Sequence, residues 1–173
     1  MADDERENNL EQEPGIDLDD ADPGFAREVV REPGGAELLC CVSCGACAAG
    51  CPVYGVSERY NPRRIIRMVL LGLRRQVLET EAIWLCSTCY TCQERCPQGV
   101  RITDLMTALR TMATRAGYYP KAYDQQRELL MAMGRLYEIG EFDNKKRIKS
   151  GLPPIQMTAE EIGRLRDIIQ EEE

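Results

Sequence analysis

The chain has 173 residues, 43% of them apolar and 6% aromatic, with a formal net charge of −7 and no histidine. That length suits one domain with tails, and the acidic balance argues against a nucleic-acid partner. Without histidine there is no imidazole general base, no base for a serine triad, no histidine zinc or Rieske ligand and no CxxCH haem attachment.

Residues 1–24 are rich in Asp and Glu, contain Pro14 and Pro23, and lack a helical period. They read as a flexible, disordered acidic tail. The alternation at Ile16 and Leu18 is the one feature that would suit an extended segment laid on a partner. Phe25, Val29 and Val30 predict a short helix that Pro33-Gly34-Gly35 ends.

A first cysteine run follows, Cys41-Val-Ser-Cys44-Gly-Ala-Cys47-Ala-Ala-Gly-Cys51-Pro52. Its interior is small, which lets backbone N–H groups approach an anionic group closely. Asn61-Pro62 then predicts an N-cap and first helical residue. The helix is expected to run to about Arg75, with Ile65, Ile66, Val69, Leu70 and Leu73 inward. Arg63, Arg67 and Arg74 share its other face, flanked by Arg64 and Arg75. That basic face reads either as ordinary solvated surface or as a docking site for an acidic partner. No apolar run approaches the roughly 18–20 residues of a membrane-spanning helix. The longest, Ile65 to Leu73, is interrupted by Arg67 and Gly72.

Glu81 to Leu85 lead into a second run, Cys86-Ser-Thr-Cys89-Tyr-Thr-Cys92-Gln-Glu-Arg-Cys96-Pro97. Trp84, the only tryptophan, is expected to pack in the core beside it. Each cysteine of this run lies 45 positions after its counterpart, and both runs read C-x2-C-x2-C-x3-C-P. This spacing belongs to two-cluster 4Fe–4S sites. Three closely spaced cysteines curl around one cubane; the fourth, carried away by its proline, reaches the neighbouring one. The expected ligand sets are Cys41, Cys44, Cys47 and Cys96 for one cluster, and Cys86, Cys89, Cys92 and Cys51 for the other. Disulfides suit these tight, regular spacings poorly, and paired zinc knuckles lack a third cysteine and a trailing Cys-Pro. Cys40 has no counterpart and reads as a small buried hydrophobe. The second loop is bulkier and more polar, so the two clusters are expected to differ in potential.

After Cys96 the chain repeats its own logic. Gly99-Val100 echoes Gly55-Val56, and Ile102, Leu105, Met106, Leu109, Met112 and Ala113 form an apolar stripe that Gly117 stops. Each cysteine loop is thus followed by a packing helix, in approximate two-fold symmetry. A further helix is predicted from about Lys121 to Glu138, then a basic stretch containing Lys145, Lys146, Arg147 and Lys149, then Pro153-Pro154. Thr158 to Glu161 form a capping box that opens a last short helix. The expected division is a tail over 1–24, a two-cluster domain over 25–140 and a partner-docking arm over 141–173. The fold class is all-α, with the clusters held between helices.

The two cysteine runs, the Asn61-Pro62-Arg63-Arg64 helix start and the stretch from Ile83 to Val100 resemble the C-subunit family of CoB–CoM heterodisulfide reductases. The resemblance covers roughly residues 36–140 and, more loosely, the C-terminal arm. It implies an α-helical ferredoxin domain carrying two 4Fe–4S clusters on the eight matching cysteines. It implies a cytoplasmic electron relay from a flavin-containing A subunit to a B subunit that reduces the CoM–CoB disulfide in methanogenesis, with a hydrogenase or formate dehydrogenase in the wider complex. The chain would then be part of an oxidoreductase whose substrate site lies on another subunit, with no catalytic residue of its own. Succinate dehydrogenase iron–sulfur subunits carry a plant-type half for which there is no room here. Glycolate-oxidase-like proteins continue into cysteine-rich domains that do not follow Cys96. The alternatives are a free-standing two-cluster ferredoxin, a relay for a non-methanogenic complex, and a zinc-bound structural module.

Overall fold

The computed structural model describes residues 18, 20–156 and 158–171. Among these residues there is helix and loop but no strand, so the all-α expectation holds. The chain divides into two compact units, one ending at Tyr118 and the other beginning at Tyr119. Most of the expected acidic tail, residues 1–17 and 19, lies outside the described residues.

In the first unit, α1 spans Phe25–Arg31 and buries Phe25 and Val29 one turn apart. It stops before Pro33, whose ring disfavours helical geometry in the residue before it. Helix α2, Ala46–Ala49, belongs to the first cysteine loop. Helix α3, Pro62–Leu70, starts as its sequence requires: Asn61 is extended, and its Oδ1 accepts the Arg64 backbone N–H at 3.1 Å. After α4, Arg74–Leu78, the second loop contains α5, Thr91–Glu94. Helix α6, Ile102–Arg115, completes the unit and buries the whole predicted stripe together with Thr103 and Ala108. Its end is closed by Tyr118 N–H donating to the Ala113 carbonyl at 2.8 Å, with Gly117 at φ +83°. Burying each large apolar side chain of that stripe is worth about 1.5–3 kcal/mol as an upper bound, far more than helix propensity alone.

The expected helix from Asn61 to Arg75 is two helices. Gly72 takes φ +78° after Leu71, and a β-carbon there would stand 2.3 Å from the Asp22 carbonyl oxygen. Asp22 N–H donates to the Gly72 carbonyl at 2.8 Å, so the end of the acidic segment packs into the break. The break removes Arg74 from the face it was expected to share with Arg63 and Arg67. Arg74 instead forms a bidentate pair with Glu28, approaches Asp22 at 3.6 Å, and lies 5.3 Å from the centre of the Phe25 ring. The hydrogen bond from Arg74 lowers the Glu28 pKa below the usual carboxylate value. Two further expectations fail in detail. Leu70 is only partly buried, and Cys40 is exposed, because the short 3-10 turn Leu38–Cys40 turns Leu38 inward and leaves Cys40 outward.

In the second unit, α7 spans Ala122–Met133 and ends at Gly134, in the left-handed region at φ +67°. It therefore stops short of the expected Glu138, and Leu136 and Tyr137 are exposed beyond it. The basic stretch is a helix, α8, Glu141–Lys149. Gly140 N–H donates to Asp143 at 3.1 Å, and the acidic first turn and basic last turn both complement the helix dipole. Helix α9, Ala159–Glu171, begins with the predicted box: Glu161 N–H donates to Thr158 Oγ1 at 3.2 Å, and Thr158 N–H to Glu161 Oε2 at 2.8 Å. Polar clips hold this unit, among them Ile155 N–H to Asn144 Oδ1 at 2.7 Å and Arg166 to the Met131 carbonyl at 2.6 Å. Neither α7 nor α8 buries a side chain.

Candidate metal centres

The two cysteine loops have the same backbone. Ser43 and Gly45 in the first loop take φ +55° and +89°; Thr88 and Tyr90, 45 positions later, take +52° and +62°. A β-branched threonine in this region is costly, and such strain persists where the surroundings impose it, typically at binding sites. Two positive-φ residues two positions apart make each loop turn tightly around its cysteines. Each loop then enters one helical turn, α2 or α5, and these two turns pack on each other. Helix α2 also packs on α3, and α5 on α6, which gives the pseudo-two-fold arrangement read from the spacing.

Burial follows the same symmetry. Cys44 and Cys89 are exposed, Cys41, Cys51, Cys86 and Cys96 are half-buried, and Cys47 and Cys92 are 8% and 7% exposed. One cavity is lined by Cys41, Cys44 and Cys47 of the first run and Cys96 of the second, with Arg63, Ile66 and Val100 among its walls. The Val100 N–H donates to Cys96 Sγ at 3.3 Å. On the other side, Cys86 and Cys51 both lie close enough to Cys92 to disfavour its anionic form. Tyr54 N–H donates to Cys51 Sγ at 3.5 Å. Cys96 thus stands with the first run, and Cys51 acts electrostatically on Cys92 of the second.

Burial raises the Cys47 thiol to about 11, with Cys41 and Cys92 adding repulsion, and burial likewise raises Cys92. Buried thiols of this kind stay protonated until a metal takes up their charge. Cys89 differs: its pKa is lowered, chiefly by the Thr91 hydroxyl 3.5 Å away. The Thr103 hydroxyl lies 3.7 Å from Cys92 Sγ, both groups being buried. Tyr60 is 1% exposed, and burial first and its interaction with Cys86 second raise its pKa. The donors are eight soft sulfurs, four of them around one cavity, with N–H or O–H donors beside several of them, and this chemistry fits iron–sulfur ligation.

Trp84 is partly buried against the core, with the Arg110 guanidinium 5.9 Å from its ring centre. Arg110 also donates to the Ile83 and Cys86 carbonyls at 2.9 and 2.7 Å, fixing the entry to the second loop. Sequence reasoning missed Tyr60, Thr103 and Arg110, which lie outside the cysteine runs. The 45-residue repeat does expose Thr91, because its counterpart in the first loop is Ala46.

Residues 37–100 match the 4Fe-4S dicluster domain family. The chain is 41% identical over 131 residues to the C subunit of the ferredoxin:CoB-CoM heterodisulfide reductase of Methanosarcina mazei, covering 76% of this chain and 80% of that protein. It is 33% identical over 167 residues to the C 2 iron-sulfur subunit of the CoB–CoM heterodisulfide reductase of Methanocaldococcus jannaschii, covering 90% and 89%. With the C subunit of the H(2):CoB-CoM heterodisulfide,ferredoxin reductase of Methanothermobacter thermautotrophicus it shares 31% identity over 166 residues, 96% of this chain and 86% of that one.

Proposed function

Because the chain belongs to the C-subunit family of CoB–CoM heterodisulfide reductases, we propose that it relays electrons through two 4Fe–4S clusters, from a flavin-containing A-type subunit to a B-type subunit that reduces the CoM–CoB disulfide. The observation that carries this reading is the pair of matching cysteine loops, with Cys96 of the second run joining Cys41, Cys44 and Cys47 of the first around one cavity. When bound, a cluster at each loop would accept and return one electron at a time.

The chain's own residues do the rest. Cys41, Cys44, Cys47 and Cys96 would hold one cluster, and Cys86, Cys89, Cys92 and Cys51 the other. Ile66, Ile102 and Val100, all buried, keep water from the inner side of the first site. The exposed Cys44 and Cys89 mark the edges at which partners approach. No histidine is available for proton transfer, which suits a conductor whose substrate sits on another subunit. Among the described residues no helix is long and apolar enough to cross a membrane.

A groove beside the first loop is lined by Ser43, Asn61, Arg63, Arg64 and Arg67, and it shares Ser43 and Arg63 with the first cavity. On a chain of net charge −7 this is a local positive surface, suited to an acidic edge of one partner. Arg67→Glu is expected to slow association with that partner about tenfold at low salt and to flatten the salt dependence. Stopped-flow mixing with the purified A-type and B-type subunits checks this, and an unchanged rate with both refutes the docking role. The second unit, with Leu136, Tyr137, Phe142 and Ile148 exposed, offers an apolar surface for permanent assembly.

The relay is tested by measuring iron, sulfide and zinc in the chain purified without oxygen, with electron paramagnetic resonance on reduction. About eight irons and eight sulfides per chain and an interacting signal are expected. Zinc without sulfide overturns the reading.

A further inference from the structure

The two loops agree in backbone and in burial, so neither feature distinguishes one centre from the other. They differ in the groups that face their sulfurs. The Thr103 hydroxyl lies 3.7 Å from Cys92 Sγ and the Thr91 hydroxyl 3.5 Å from Cys89 Sγ. The buried Tyr60 also interacts with Cys86. In the first loop Ala46 stands where Thr91 stands in the second, and the donor to Cys96 is the Val100 backbone N–H. Backbone donation is balanced, because Tyr54 N–H serves Cys51 in the second set. The difference is the side-chain hydroxyls: Ser43 lines the first cavity, but among the described residues no hydrogen bond joins it to a sulfur, whereas Thr103 and Thr91 lie within hydrogen-bond reach of Cys92 and Cys89.

A hydroxyl beside a thiolate can only donate, and that bond strengthens as the sulfur becomes more negative. Reduction adds one electron to a cluster and spreads part of that charge onto its sulfurs. Donors to sulfur therefore stabilise the reduced form more than the oxidised form and raise the potential. Thr103 is 1% exposed, so water does not compete with its hydroxyl. Fixed cations do not reverse this order. Arg63 lines the first cavity, but its side chain is exposed and screened. Arg110, partly buried, is bound to carbonyls at the second loop.

We infer that Thr103 and Thr91, with Tyr60, make the centre on Cys86, Cys89, Cys92 and Cys51 the more easily reduced of the two, so that within this chain electrons move from the first-loop centre to the second. This rests on the reading of the eight cysteines as ligands of two clusters. Thr103, Thr91 and Tyr60 act here as positioning residues, through the sulfurs.

The test is an anaerobic redox titration of the full holo-chain followed by electron paramagnetic resonance, with iron and sulfide assayed in every sample. The parent chain is expected to reduce in two resolved steps. Thr103→Val, close in shape to threonine, is expected to move the higher-potential step downward and leave the other in place. Thr103→Ser is expected to restore it. Thr91→Ala and Tyr60→Phe should each move the same step in the same direction. If the lower step moves instead, or neither moves while iron and sulfide stay at parental levels, the inference is overturned. A parent chain lacking iron and sulfide overturns the two-cluster reading itself, which keeps the two failures apart.

Discussion

Replacing Cys96 by serine in the assembled complex is expected to remove about half of this chain's iron, leave the flavin of the complex in place, and abolish heterodisulfide reduction. The iron lost should be that of the first loop, although Cys96 belongs to the second run. The structural reason is the cavity where Cys96 stands with Cys41, Cys44 and Cys47, while the proline after it carries the chain out of its own loop. Serine keeps the size of the side chain but exchanges a soft thiolate for a hydroxyl that binds iron poorly. Electron paramagnetic resonance of the reduced variant should show one surviving signal without the spin interaction of the pair. Tyr60→Phe added to Cys96→Ser should still shift that survivor, because Tyr60 interacts with Cys86 of the other set. Serine at Cys44 or Cys89 should stop turnover equally, each from one loop. Turnover retained in any of these variants would refute the relay.

Gly72→Ala is expected to destabilise the first unit by about 3 kcal/mol, lowering the thermal midpoint by roughly 6–12 °C. Two costs add. Alanine at φ +78° pays about 1–2 kcal/mol for the left-handed conformation. Its β-carbon would also stand 2.3 Å from the Asp22 carbonyl oxygen, a backbone atom held by its own hydrogen bond network at the helix break. Gly117→Ala separates the two contributions. Gly117 has a similar φ of +83° but nothing within 4 Å of the added carbon, so it should cost only the conformational part. Circular dichroism melts of the three holo-chains, run anaerobically, check this. Equal losses in the two variants would show that the close approach of Asp22 contributes nothing.

The similarity to the methanogen relatives extends beyond the cysteine core toward both termini. The helices of the second unit are closed by local signals and carry exposed apolar side chains, a pattern suited to burial against another chain rather than to an independent core.

The parts of this protein governed by short-range rules were legible in the residues themselves. The eight sulfurs and their 45-residue repeat identify the chemistry, because cubane ligation depends on ligand type and on how far a loop reaches. Asn61, Gly117 and the Thr158–Glu161 box mark helix ends, because capping is settled within a turn. The α6 stripe identifies its buried face, because a 3.6-residue period projects side chains in one direction whatever lies opposite. Where local rules competed, the pattern misled. The apolar periodicity continues through Leu73, and only the approach of Asp22 gives the reason for the break at Gly72 and for the transfer of Arg74 from the basic face to Glu28. The exposure of Cys40 likewise depends on which side of a short turn meets the core. Beyond the local Thr91–Cys89 pair, tertiary structure decided which hydroxyls lie beside which sulfurs. Tyr60 and Cys86 are 26 positions apart, and Thr103 reaches Cys92 from another helix. No periodicity records contacts between segments that distant, and the proposed difference between the two centres rests on them.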